Sequence, residues 1–251
     1  MTALTSDAPH GTPGLGERLW DVVRLHTTNP WTTLILPPLI TLGIFGLNYA
    51  IWALVSRAAG AELESDAFAN NGGVLWILVY MMVTAIQAMS NTFRFALGMS
   101  VTRREYYLGT SLYFAILSVI YATGLTVFGW IEQLTAGWGL GGYFFAPFGT
   151  ADQSLGLRAY AFFVLLLMFF FLGTVFASVW MRWKVNGLLT MLFTIAVALI
   201  GLAWWLTDVG LWGSVGDFFT GNSPLGLLTW TLPFTAATAL AGFGLLRRAT
   251  P

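Results

Sequence analysis

The chain is 251 residues long, 57% hydrophobic and only 9% charged, with a mean hydropathy of +0.75. A soluble domain carries about 25% charged residues, so this composition leaves no room for a large soluble domain and describes an integral membrane protein. Lys and Arg (11) balance Asp and Glu (11), which leaves no net-charge footprint for nucleic acid, and the absence of cysteine excludes disulfides, thiolate metal sites and a cysteine nucleophile.

Residues 1–14 are polar, contain two prolines and two glycines, and read as a flexible cytoplasmic tail. Over residues 15–28 the pattern changes. Leu15, Leu19, Val22 and Val23 fall at helical spacing, while Glu17, Arg18, Asp21 and Arg24 take the other positions. That is an amphipathic helix suited to the membrane interface, with Trp20 at headgroup level; an ordinary solvent-exposed helix is the other reading. Nothing here has the apolar core and small-residue cleavage site of a signal peptide, so the first span is expected to act as the insertion signal.

Six apolar runs follow within residues 29–251, at about 31–55, 72–91, 108–131, 159–181, 185–207 and 224–246. Each meets the roughly 17 to 25 residues needed to cross a hydrocarbon core about 30 Å thick. Pro37 and Pro38 in the first run and Pro233 in the last are tolerable as kinks. With the N-terminus inside, the cytoplasmic segments hold Arg18, Arg24, Arg94, Arg103, Arg104, Arg182, Lys184, Arg247 and Arg248, and the outer ones only Arg57 and Arg158. By the positive-inside rule both termini are expected in the cytoplasm. Tryptophan agrees: Trp31, Trp180 and Trp183 fall at inner ends, and Trp52, Trp76, Trp130, Trp204 and Trp205 at outer ends. The expected fold is therefore an all-α membrane bundle of six helices. The outer connections 132–158 and 208–223 are rich in aromatic residues and are expected to tuck back against it, because large exposed apolar patches are uncommon.

The sizeable cytoplasmic segment between spans is 91–107. Asn91 reads as a helix N-cap and Gly98 as a helix end, bracketing a short helix from Thr92 to Leu97 that carries Phe93, Arg94, Phe95 and Ala96. Thr102-Arg103-Arg104-Glu105 reads as a capping box that starts the next helix. Arginines here would enforce topology or bind anionic lipid in any case. Topology alone, however, does not call for Phe93, Phe95 and Leu97 on a capped helix in water, which is what a soluble partner docks against.

The block from Phe93 to Thr110 resembles the first cytoplasmic loop of ABC-2-type permeases, the membrane subunits of a class of bacterial ATP-driven exporters. The family pattern, an aromatic-apolar stretch, Leu-Gly-x-x-x-(Ser/Thr)-Arg-Arg and then an acidic or aromatic residue, is matched by Leu97, Gly98, Thr102, Arg103, Arg104 and Glu105. The stretch from Glu132 to Gly139 is similar to the outer end of the third span in actinobacterial members. The resemblance implies a division of labour. A coupling segment, here Thr92 to Met99 with Thr102 to Glu105, would sit in a cleft of a separate cytosolic ATPase. A second permease protomer, identical or not, would complete the transporter. ATP and Mg would be bound by the ATPase, with no cofactor in this chain and no enzyme activity of its own. The sequence agrees in one respect: it contains no Gly-x-x-x-x-Gly-Lys-(Ser/Thr) phosphate loop.

Ionisable side chains are almost missing from the spans. His10 and His26 precede them, and Glu132 at an outer helix end reads as snorkelling to the interface. A secondary transporter would need a coupling-ion site that is not visible, and a sensor or immunity protein on the same scaffold is the other alternative. Asn48, Thr84 and Gln87 are the clearest polar groups within the spans. They read either as interhelical glue or as the lining of a substrate path. Gly43, Gly46, Gly242 and Gly244 read as points of close helix approach.

Overall fold

A backbone in hydrocarbon must satisfy its own N–H and C=O groups, and this chain does so with helices. The computed structural model describes residues 14–60, 67–68, 71–148 and 150–247; the tail, Glu62, Glu64, Asp66 and Arg248 lie outside the described residues. The α-helices are α1 (Leu15–Thr27), α2 (Leu36–Ala59), α3 (Trp76–Gln87), α4 (Phe93–Gly98), α5 (Arg103–Leu134), α6 (Leu155–Asp208), α7 (Trp212–Gly221), α8 (Pro224–Thr229) and α9 (Thr231–Arg247). Five continuous helical stretches among the described residues are long and apolar enough to cross a membrane: Trp31–Ala59, Gly73–Gly98, Arg103–Leu134, Leu155–Asp208 and Pro224–Arg247. The architecture is that of a multi-pass membrane bundle.

The fourth and fifth expected runs are joined in α6. Its 54 residues would reach about 80 Å at roughly 1.5 Å per residue, far more than one hydrocarbon core. The helix is broken at Lys184 (φ 56°, ψ −145°). A Cβ added to Gly187 would lie 2.2 Å from Cβ of Trp183, whereas residues four apart in a continuous helix hold their Cβ atoms about 5–6 Å apart. The chain therefore turns sharply here, dividing α6 into arms 155–183 and 185–208.

The first arm is the centre of the bundle and packs on α3, α5 and α9. Phe170 stacks on Phe114 of α5 with centroids 4.5 Å apart, and both are fully buried. Of the four glycines expected at close approaches, Gly242 alone is one: a Cβ there would meet Thr174 Oγ1 at 2.6 Å, while Gly43, Gly46 and Gly244 have nothing within 4 Å. The amphipathic α1 forms as its periodicity demands, and the Val22–Val23 end of its apolar stripe meets protein while Leu15 is exposed. Val22 and Val23 are buried, with Val22 seated where a Cβ on Gly109 of α5 would lie only 2.6 Å away.

Trp52 also departs from expectation. It is buried against Phe68 and Gly142 and takes no part in an aromatic belt, because the connection after α5 folds over it.

Candidate functional site at the α4 end of the bundle

Basic residues of α1, α5, α9 and the middle of α6 gather at one end, while Arg158 near the start of α6 lies at the other. Arg18 bonds Glu105 at 2.8 Å, Arg103 donates to the Arg247 carbonyl at 2.9 Å, and Arg182 and Arg247 line one cleft. Glu105 and Thr102 form the expected capping box: Thr102 Oγ1 accepts from Glu105 N at 3.2 Å, and Thr102 N donates to Glu105 Oε2 at 3.0 Å. Glu105 lies ahead of the apolar run that begins at Leu108. Hydrogen bonds from Thr102 and Arg18 hold its carboxyl down at about 2.

The short helix differs from its expected form at its start. Asn91 does not cap it. Residues Ala88–Thr92 make a wide π-turn in which both Gln87 and Thr92 keep helical dihedrals, so α3 passes into α4 without leaving helical geometry. Once the preceding turn continues, the N–H groups that Asn91 would have capped have carbonyl partners. The other end stops at Gly98 as expected. Ser100 takes the left-handed conformation (φ 64°), its N–H bonding Leu97 O, while Val101 N–H bonds Ala96 O. These paired bonds are a Schellman stop with serine where glycine is usual.

The faces of α4 are sharply divided. Phe93 and Ala96 are buried, with the Phe93 ring 5.3 Å from that of Tyr106. Phe95 and Met99, one turn apart, are 61% and 59% exposed. Arg94, Gly98 and Arg104 are exposed as well, and Leu97 is half-buried. Phe93 thus holds the segment to the bundle and is not available to a partner.

Behind α4 a polar cavity of about 310 Å³ opens between α1, the start of the α2 span and α3. His26, Asn29, Thr32, Thr84, Gln87 and Asn91 line it, so Thr84 and Gln87 share one site. Thr84 donates to the Tyr80 carbonyl, whereas the Gln87 amide has no hydrogen bond among the described residues. Asn48 is elsewhere: its Nδ2 donates to Ile44 O and its Oδ1 accepts from Asn71 Nδ2 at 2.7 Å, which ties α2 to the segment before α3. His26, for which the sequence offered no role, lies 2.9 Å from Thr110 Oγ1 and stacks on Tyr113. Burial pushes its imidazole down to about 4, so it is neutral at pH 7 and the cavity carries no formal charge.

Thr33 forms part of the wall of this cavity. It belongs to a π-turn at Trp31–Ile35, ahead of Pro37. Tyr113 donates to its Oγ1 at 2.9 Å and Tyr121 to its carbonyl at 2.6 Å. Helical spacing alone gave no sign of this three-residue latch.

At the opposite end Glu132 does not snorkel. It is fully buried and accepts four hydrogen bonds, from Trp138 Nε1 (2.7 Å), Phe144 N (2.8 Å), Phe145 N (2.9 Å) and Ala146 N (2.9 Å). A carboxylate supplied with that many donors has no need of water.

Comparison of the chain with protein-family models, with curated proteins and with solved structures found no match.

Proposed function

We propose that this chain is the permease subunit of an ATP-driven exporter of the ABC-2 type in a bacterial cytoplasmic membrane. In this reading both termini are cytoplasmic, and division of α6 at Lys184 makes six spans. The observation that carries the reading is the apolar pair Phe95 and Met99, more than half exposed at the end of the stretch Gly73–Gly98, beyond the run 72–91 and one turn before the arginines of α5. An exposed aromatic anchor beside arginines is the composition of a protein–protein contact.

The connection between α3 and α4 supports a mechanism. A push on α4 reaches α3 directly, because the two share one helical path. A cytosolic ATPase that bound ATP and Mg would close, press on residues 92–99 and tilt α3 against α2. Hydrolysis would belong wholly to that partner. A second permease protomer would cover the outer faces of α2 and 185–208, which are exposed along most of their length. The substrate is amphipathic or apolar, a drug, lipid or peptide, received by the cavity that Thr84 and Gln87 line.

The test is co-purification of candidate ATPases with the chain in nanodiscs, comparing wild type with Phe95→Asp. Phe95 faces outward, so the variant is expected to insert normally and to retain at least tenfold less ATPase, about 1.4 kcal/mol of binding. ATPases that bind neither form, or both equally, would refute the exporter reading.

A further inference from the structure

A second cavity lies beyond Thr33. It is a cleft of about 230 Å³ lined by Leu34, Pro38, Leu42, Ile77, Leu125 and Phe128 among others, and it offers almost no polar surface. The polar groups near it are engaged: Thr41 Oγ1 bonds the Pro37 carbonyl and the Tyr121 hydroxyl bonds Thr33. Leu42 is 44% exposed at its rim, so the cleft is open towards lipid. Its far end is closed by Phe145, whose ring stacks on Phe128 at 4.9 Å and whose N–H is held by Glu132.

One residue separates the two cavities. Thr33 lines the polar one, and its carbonyl is held by Tyr121, which lines the apolar one. Along α5, Tyr113 and Tyr121 are two turns apart and grip the same threonine from either side. The path from the α4 end thus runs from an uncharged, hydrogen-bonding chamber, past a latch, into an alkyl-lined cleft stoppered by Phe145.

From this juxtaposition we infer that the two cavities form one binding site, within a single protomer, for an amphipathic molecule with an uncharged hydrogen-bonding head and one alkyl chain. The head lies against Gln87 and Asn91, where the Gln87 amide supplies unused donors and an acceptor. The chain lies in the cleft beside Leu42 and Leu125, and the junction passes Thr33. A charged head is excluded because no lining group would neutralise it once it leaves water. The inference deepens the transport reading, on which its functional meaning rests, but its test requires no ATPase.

The experiment is photolabelling in nanodiscs with a monoacylglycerol carrying a diazirine either at the chain end or on the glycerol head, with labelled peptides mapped by mass spectrometry. The chain probe is expected to label residues 34–42 and 120–128, and the head probe residues 84–92. Leu42→Trp, which fills the cleft from its exposed rim, should reduce both labels at least tenfold. Gln87→Ala should reduce the head label, and a probe with the same chain and a phosphate head should label at least tenfold less. Both variants alter exposed side chains, so folding is expected to survive, and a cooperative thermal transition checks it.

Labels spread evenly over the lipid-facing helices and indifferent to Leu42→Trp would overturn the inference. Cleft labelling unchanged by Gln87→Ala would do so too, since a chain held without its head is annular lipid. Equal labelling by the phosphate-headed probe would likewise sink it. Specific labelling without ATPase binding would leave the site standing and remove the exporter, and the reverse result would do the opposite.

Discussion

The two long connections at the end opposite α4 have similar compositions and different fates. Residues 135–154 carry Trp138, Phe144 and Phe145, and the two phenylalanines are fully buried. Residues 209–223 carry Trp212, Phe218 and Phe219, and none of the residues of α7 is buried. Aromatic content therefore does not decide whether such a segment folds onto a bundle. What differs is the anchor. Glu132 gathers three successive backbone N–H groups and an indole N–H from the first connection. In the second, Trp212 Nε1 bonds Thr207 Oγ1 five residues away, a contact confined to the local turn. A buried acceptor that satisfies a loop's own backbone makes burial of its rings possible, because unpaired N–H groups would otherwise oppose it.

Removing the anchor breaks the contrast most severely. Glu132→Ala leaves three buried backbone donors and the part-buried Trp138 indole without an acceptor, at about 1–3 kcal/mol for each buried one, so the loss is expected to exceed about 3 kcal/mol. In nanodiscs the thermal midpoint should fall steeply, and limited proteolysis should cut within 138–148, a segment expected to stay intact in wild type. Because Phe145 closes the apolar cleft, the same variant should also admit water-soluble quenchers to Phe128→Trp. A variant with the wild-type midpoint and protection would show that packing alone holds the connection.

A gentler perturbation acts one helical turn away. Arg158 is 2% exposed, donates to Gln133 Oε1 at 2.8 Å and to the carbonyls of Ala151 and Gln153, and crosses over Gly129. A Cβ at Gly129 would sit 2.8 Å from its Nη1 and 3.3 Å from the Phe145 carbonyl. Gly129→Ala is expected to destabilise by about 1–3 kcal/mol, the range for overpacking. Gly124→Ala on the same helix, with nothing within 4 Å, is the control and should be neutral or slightly stabilising. Equal effects of the two would mean that helix propensity, not the seating of Arg158, governs this region.

How much of this was legible in the sequence depended on the range of the interaction. The capping box at Thr102 and Glu105 could be read because its partners are three residues apart. The periodicity of α1 gave its limits closely, and the short polar stretch around Lys184 marked the break in α6. Glu132 was misread because three of its four partners are backbone amides twelve to fourteen residues downstream, which carry no residue signature. His26 and Thr33 escaped notice for a related reason: each is defined by tyrosines some eighty residues away on α5. Thr84 and Gln87, a turn apart on α3, were recognisable as neighbours, but the cavity they face is made by α1 and the π-turn. Phe93 and Phe95 look equivalent in sequence; only the continuity of α3 into α4 turns one inward and leaves the other exposed.

The smallest expected effect sharpens the comparison from its other side. Phe219 is 60% exposed on α7, and its ring meets that of Phe218 at 5.5 Å. With no buried anchor beneath it, Phe219→Ser should change stability by no more than about 0.5 kcal/mol, as surface substitutions do. In detergent and in nanodiscs the midpoint should match wild type, in contrast to Glu132→Ala. A loss of 2 kcal/mol or more in both media would mean that another protein surface covers α7, since an exposed ring can lose that much only by leaving a packed interface. A loss confined to nanodiscs would instead place the ring in the bilayer interface, where aromatic side chains contribute as amphipathic anchors. Either departure would make the two connections alike in being anchored, one by a carboxylate within the chain and the other by its surroundings.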